Sequence, residues 1–218
     1  MSIPRVTVLT SGRGSNLGAL FAAERDGRLD GTIASVISNR AAIPALAIAA
    51  AQGVPGTIVP HEAYHERDAF DAALAAAIDA SEPDLVVLAG FMRILGPRLV
   101  ARFEGRMLNI HPSLLPAYPG LHTHRRALAD GVRIHGCTVH FVTAALDHGP
   151  IVAQGAVPVF DGDDEASLAA RVLAVEHRLL PAAVRDFCAG RLVIAGGRVH
   201  VKGELVSAAT LEVPSPAA

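Results

Sequence analysis

The chain has 218 residues, of which 51% are apolar, enough for one sizeable core with at most a small C-terminal addition. Its 19 basic and 21 acidic residues leave a formal charge of −2 with no basic block, which argues against broad contact with a nucleic-acid backbone. No apolar run approaches the roughly 20 residues of a spanning helix, the N-terminus reads as neither signal peptide nor anchor, and two lone cysteines, Cys137 and Cys188, suit a reducing cytosol.

Val6–Leu9 is a β-branched run that ends in Ser11-Gly12-Arg13-Gly14-Ser15-Asn16, after which Leu17, Leu20 and Phe21 suggest a helix. Thr32–Ile37 predicts a second strand, Ile43–Gln52 a helix stopped by Gly53, and Thr57–Val59 a third strand. A long helix is expected from about Glu62 to Ala80, with Phe70, Leu74, Ala77 and Ile78 at helical spacing. Asp84–Gly90 then reads as a strand buried on both faces, followed by a short helix over Pro97–Phe103 and a strand over Met107–Ile110. Alternation of this kind predicts an α/β fold built on a doubly wound, mostly parallel sheet.

From His111 to His122 three prolines and a glycine predict an ordered loop. Thr123–Asp130 reads as a helix, and Cys137–Val142 and Ile151–Val159 as strands. Asp163 and Asp164 open a last helix with the apolar stripe Leu168, Val172, Val175, Leu179. Gly190–Val201 has the pattern of a β-hairpin turning at Gly196-Gly197, an antiparallel C-terminal extension. Residues 203–218 carry little pattern and are expected to fray as a tail.

Two places carry chemistry. Ser11–Asn16 joins a strand to a helix through glycines, so backbone amides at the helix start form an anion site that Ser15 and Asn16 supplement. It is not a Walker loop, and Leu17 stands where a dinucleotide fingerprint has its third glycine. An ordinary tight turn would look the same. Asn109-Ile110-His111-Pro112 follows a buried strand, and in open α/β sheets ligands collect at such carboxyl ends. Residues two apart on an extended chain point the same way, so Asn109 and His111 suit an oxyanion, the amide as fixed donor and the imidazole as donor and proton carrier. Alternatively, Asn109 caps a turn beside a packed histidine. Asp147, in a turn before Gly149-Pro150, would complement an imidazolium charge if it met His111 across 36 residues of chain, and otherwise is a plain turn aspartate. His122-x-His124 with His135 or His140 is a weaker, zinc-like pattern without a recognised ligand set, so no metal is expected.

Ser11–Leu17 (SGRGSNL), Leu88–Leu95 (LAGFMRIL), Asn109–Gly120 (NIHPSLLPAYPG), Leu121–His124 (LHTH), Val139–Val142 (VHFV) and Asp147–Ile151 (DHGPI) occur in that order. Together they resemble the phosphoribosylglycinamide formyltransferases, folate-dependent enzymes of purine biosynthesis, over about residues 5–200. NIHPSLLP alone marks a wider group that includes methionyl-tRNA formyltransferase and formyltetrahydrofolate deformylase. Those typically carry a further domain for which 218 residues leave no room, and SGRGSNL resembles the loop that holds a substrate 5′-phosphate.

The resemblance implies a Rossmann-like formyltransferase domain over residues 1–202, with a phosphate-binding half to about 105 and a folate and catalytic half from about 106. It implies formyl transfer from 10-formyltetrahydrofolate, as co-substrate, to the amine of phosphoribosylglycinamide in a cytoplasmic enzyme, a monomer or weak homodimer. Carried over by position, Asn109, His111 and Asp147 are catalytic, and Gly14, Ser15, Asn16, Leu17 and Glu176 bind the phosphorylated substrate. Arg67, Met92, Arg93, Ile94, Leu95, Asn109, Thr143 and Asp147 bind the folate. Glu176 lies one residue past Val175, at the expected edge of the apolar stripe, where a carboxylate reaches into a cleft. Arg13 sits where members of the family vary, and His148 replaces a small or variable residue. The alternatives are hydrolysis of formyltetrahydrofolate, with water replacing the amine, and a non-catalytic sugar-phosphate-binding module.

Overall fold

The computed structural model describes residues 2–203; the expected tail beyond them lies outside the described residues. Each apolar run becomes a strand: β1 (Arg5–Thr10), β2 (Thr32–Ser38), β3 (Gly56–Ile58), β4 (Leu85–Leu88) and β5 (Met107–His111). Two longer strands follow, β6 (Ile134–Phe141) and β7 (Ile151–Pro158). They form one sheet in the order β3-β2-β1-β4-β5-β6-β7, parallel through β5 and antiparallel for β6 and β7. Strand order reverses direction at β1 and β4, so a crevice opens beyond their carboxyl ends.

Helices cover both faces. α1 (Ser15–Arg25), α2 (Pro44–Ala51) and α6 (Glu165–Cys188) pack with Val6, Val8, Leu85, Val87, Leu108 and Ile110. α3 (Arg67–Ala80) and α4 (Pro97–Arg102) pack on the other face with Leu9, Val86, Leu88 and Met107. The pleat therefore decides where β5 presents its polar residues. Met107 enters the α3–α4 core, and the next two positions on that face are Asn109 and His111. α5 (Thr123–Ala129) lies beyond the strand ends, and the hairpin of β8 (Leu192–Ala195) and β9 (Arg198–Val201) turns at Gly196-Gly197, both at positive φ as expected.

Three expectations change. The long helix begins at Arg67, not near Glu62, because His61–Ala63 form a single 3-10 turn and Tyr64 and Glu66 are extended. Tyr64 folds back onto Phe70, edge to face at 5.9 Å between centroids, which a continuous helix would not permit. β6 starts at Ile134 rather than Cys137, because pairing with β7 runs on to Ile134–Pro158. On α6 the buried stripe is Leu168, Val172, Glu176, Leu180, with Val175 and Leu179 only partly buried.

Glu176 thus sits in the middle of the apolar face rather than at its edge. Close packing of α6 explains its depth. A Cβ at Gly155 would lie 2.2 Å from Val175 Cγ1, so only glycine lets the helix approach β7 this closely. The start of α6 is held by a capping box between Asp164 and Ser167 and by a bidentate Arg171–Asp163 pair at 2.7 Å. The Arg171 guanidinium holds the Asp163 carboxyl far below the usual range. These ties fix Glu165 and Glu176 relative to the sheet.

Candidate active site

Antiparallel register brings Asn109 opposite His140 on β6. His140 Nδ1 lies 2.9 Å from the Phe141 carbonyl, which can only accept, so that nitrogen carries the proton. Burial lowers the His140 pKa, with the Phe141 carbonyl and Asp147 opposing and His111 adding to the effect, so the ring is neutral at neutral pH. Its Nε2 lone pair then accepts from Asn109 Nδ2 at 3.1 Å. One amide hydrogen is spent and the amide is oriented; the other is left to point into the cleft.

His111 is fixed by the same logic. Its Nε2 donates to the Tyr118 carbonyl at 3.0 Å, which leaves Nδ1 as the nitrogen that gains or loses a proton. Asp147 Oδ2 lies 3.5 Å from Nδ1, and both side chains are almost wholly buried. The expected meeting of His111 and Asp147 occurs. Asp147 occupies the left-handed region at φ 51, costly for a side chain with Cβ, and accepts from the Gly120 amide at 2.8 Å. The carboxylate is therefore aimed by both its own backbone and the proline loop.

That loop is stitched to the sheet. Thr138 Oγ1 donates to the Ser113 carbonyl at 2.6 Å and accepts from the Leu115 amide and Gln154 Nε2 at 3.0 and 3.1 Å. Gln154 Nε2 also donates to the Leu115 carbonyl at 2.8 Å. Thr138, Gln154 and His140 are supporting residues that local sequence pattern did not single out for these roles.

Two clefts meet at this strand end. The first, about 850 Å³, is lined by Thr10–Asn16, Ile110, Pro112, His124 and Glu176. Gly14 caps α1 in the left-handed region at φ 77, and a Cβ there would lie 2.7 Å from Ala45. The first intrahelical bond is Gly18 N–H to the Gly14 carbonyl, so the amides of Ser15, Asn16 and Leu17 ahead of it have no acceptor in the helix. The Leu17 side chain is fully buried in the core, so only its backbone can serve a ligand. Asn16 Nδ2 donates to Glu176 Oε2 at 2.8 Å, while the buried Asn16 Oδ1 has no partner among the described residues. Burial raises the Glu176 pKa, and the Asn16 bond only partly offsets this. Arg13 is exposed on the same wall.

The second cleft, about 640 Å³, is lined by Arg67, Met92–Ile94, Asn109–Pro112, His122–His124 and Asp147. A narrow slot of about 80 Å³ adjoins it, lined by Arg93–Leu95, Asn109, His140, Thr143 and Asp147. Every residue expected at a folate site thus borders one or both. Both clefts draw on both halves of the chain. His148 is exposed and makes no hydrogen bond to His111 among the described residues.

The formyl transferase family profile matches residues 4–184. The chain is 49% identical over 199 residues to the phosphoribosylglycinamide formyltransferase of Escherichia coli K12, covering 91% of this chain and 94% of that protein. It is 48% identical to the protein of that name from Mycobacterium tuberculosis H37Rv, over 88% of each. The chain belongs to the formyl transferase family. A crystal structure of glycinamide ribonucleotide transformylase 1 from Symbiobacterium toebii superposes with a TM-score of 0.89 at 51% identity, covering 91% of this chain and 94% of that one.

In this formyl transferase the four histidines of the zinc-like pattern are spread over different contacts. His122 occupies the N-cap position of α5 in the left-handed region, without a side-chain cap, His140 orients Asn109, and His124 Nδ1 lies 3.2 Å from His135 Nε2. Among the described residues no group of three or more His, Cys, Asp or Glu is arranged to hold a metal, and no helix is long and apolar enough to cross a membrane. Cys137 and Cys188 are unpaired.

The His124–His135 contact pins α5 to β6 and predicts a pH effect. Burial, with His124 adding to it, pushes His135 down to about 4, and burial lowers His124 as well. A histidine depressed in the fold takes up protons on unfolding, so its stabilisation is whole above about 6.5 and lost as pH falls from there to about 4. Melting temperature should fall over that window, and fall less in His135→Gln. Equal falls in the two proteins would rule out this origin.

Proposed function

We propose that the chain transfers the formyl group of 10-formyltetrahydrofolate to the amine of N1-(5-phospho-D-ribosyl)glycinamide, a cytoplasmic step of purine biosynthesis. The observation that carries the reading is the position of Asn109–Pro112 on the seam between the two clefts, one ending in a glycine loop with free helix-start amides and the other in a narrow slot of mixed polar and apolar lining. A reaction between a phosphorylated amine and a folate needs that arrangement.

On this reading the phosphate sits on the amides of Ser15, Asn16 and Leu17, with the Gly14 turn allowing close approach. Glu176 and the unpartnered Asn16 Oδ1 accept from ribose hydroxyls. The pterin enters the slot beside Leu95 and Thr143, and the remaining folate passes Arg67 and Met92–Ile94. The neutral amine attacks the formyl carbon, and a C–N bond forms as the carbonyl electrons move to oxygen. Asn109 donates its free amide hydrogen to that oxyanion, and protonated His111 donates from Nδ1. The tetrahedral intermediate collapses as His111 gives its Nδ1 proton to N10 and the bond to N10 breaks, while Asp147 takes the proton shed by the amine and returns it to the emptied Nδ1. Atoms and charge balance without a metal or a covalent enzyme intermediate.

His140 acts through Asn109. His140→Leu should lower kcat roughly ten- to hundredfold, with both KM values little changed, because the amide loses its fixed orientation. Steady-state kinetics check this, and an unchanged kcat would mean that the amide is oriented some other way.

Incubation with 10-formyltetrahydrofolate, with and without phosphoribosylglycinamide, tests the reaction. Folate turnover is expected only with the amine present. Equal turnover without it would make the chain a hydrolase, and phosphate-ligand binding without any turnover would make it a binding module.

A further inference from the structure

The segment Gly90–Gly96 runs from β4 to α4, and its Gly90 and Met92 border both clefts. Buried side chains that play no part in the proposed chemistry hold its two ends. At the far end, Gly96 N–H donates to Asp71 Oδ2 at 2.7 Å. At the near end, Met92 N–H donates to Ser11 Oγ at 2.8 Å. Ser11 Oγ in turn donates to Asn39 Oδ1 at 2.5 Å, and Ser11 N–H donates to the Gly90 carbonyl at 3.0 Å. Ser11 and Asn39 are buried, at 5% and 1% exposure, so this hydroxyl is committed as donor and acceptor inside the protein.

Ser11 is also the first residue of the anion-binding loop. The point to which the Met92 amide is pinned is therefore covalently continuous with the backbone that meets the phosphate. Reacting atoms held in separate clefts depend on how the clefts are placed, and errors of about 1 Å cost on the order of 100-fold in rate. A single hydroxyl is a short, stiff way to set that spacing.

We infer that Ser11 is a positioning residue that couples the two clefts. Occupancy of the anion-binding loop organises the folate-binding segment through the Ser11–Met92 bond, and by reciprocity folate organises the loop. The inference rests on the formyl-transfer reading. Asp71 provides the contrast, since it anchors the same segment at its other end and makes no hydrogen bond to the loop among the described residues.

The test measures binding of tetrahydrofolate, which has no formyl group to transfer, without and with saturating phosphoribosylglycinamide. In the unaltered protein and in Ser11→Thr, the amine is expected to tighten folate binding by about fivefold or more. Ser11→Ala should reduce the effect to within about twofold of none and lower kcat. Asp71→Asn should weaken folate binding yet keep the ratio. An undiminished ratio in Ser11→Ala, a ratio of one in the unaltered protein, or an equal loss in Asp71→Asn would each overturn the coupling. If Ser11→Ala does not fold, Ser11→Cys, a poorer hydrogen-bonding group, should lose part of the ratio, and a full ratio there also counts against it. If the unaltered protein binds neither ligand, the formyl-transfer reading fails first and the coupling falls with it.

Discussion

Asn109→Ala is expected to lower kcat for formyl transfer by 10²–10³, about 3–4 kcal/mol of transition-state stabilisation, while the protein folds normally. The amide stands at a strand end with one hydrogen held by the His140 ring, so truncation removes the oxyanion donor without leaving the β5–β6 pairing short of a bond. Asn109→Asp should be no better, because a carboxylate would face developing negative charge. Substrate KM values should move far less than kcat, since the bond strengthens only as charge reaches oxygen. Near-normal turnover in Asn109→Ala would remove the proposed mechanism.

Asp147→Asn is expected to cost about 10²–10⁴ in kcat, the usual contribution of a positioned acid–base group. Asp147 Oδ2 faces two donors, His111 Nδ1 and the Gly120 amide. An amide oxygen placed there still accepts both contacts, but it brings no negative charge to the imidazolium and no site to take up a proton. His111→Ala should cost at least as much, because it removes the donor that Asp147 serves. The pH–rate profile of Asp147→Asn should differ from that of the unaltered protein, and an unaltered profile would mean that Asp147 does not couple to His111.

Much of this site can be read in sequence because its parts are local. Ser11–Asn16 is a glycine turn between a strand and a helix, and Asn109 and His111 share a face because a strand alternates. The parallel strands appear as apolar runs since both faces are covered by helices. What local pattern could not convey depends on register between distant segments. His140 meets Asn109 across 31 residues only through antiparallel pairing with β6, and Ser11 meets Met92 across 81 only because β1 and β4 are neighbours.

Glu176 shows the same limit from another side. The expected stripe runs through Val175, whereas the buried positions fall every fourth residue at Leu168, Val172, Glu176 and Leu180, and the close approach at Gly155 seats the carboxylate deep. A buried acid with a raised pKa is a poor choice for stability and a reasonable one for gripping hydroxyl groups. The start of α3 moved for a comparable reason, because a tertiary contact between Tyr64 and Phe70 overrode helix propensity near Glu62. His124 and His135, which look like metal ligands when counted along the chain, face each other.

The central claim is that the strand end carrying Asn109 and His111 passes a formyl group from one cleft to the other. A single-turnover reaction with 10-formyltetrahydrofolate labelled with carbon-13 in the formyl group tests it most directly, with the label followed by NMR. The account predicts that the label moves to the glycinamide nitrogen, one product formed per folate consumed, and that Asn109→Ala shows almost none of this transfer. Label released as free formate while the amine stays unformylated would contradict it.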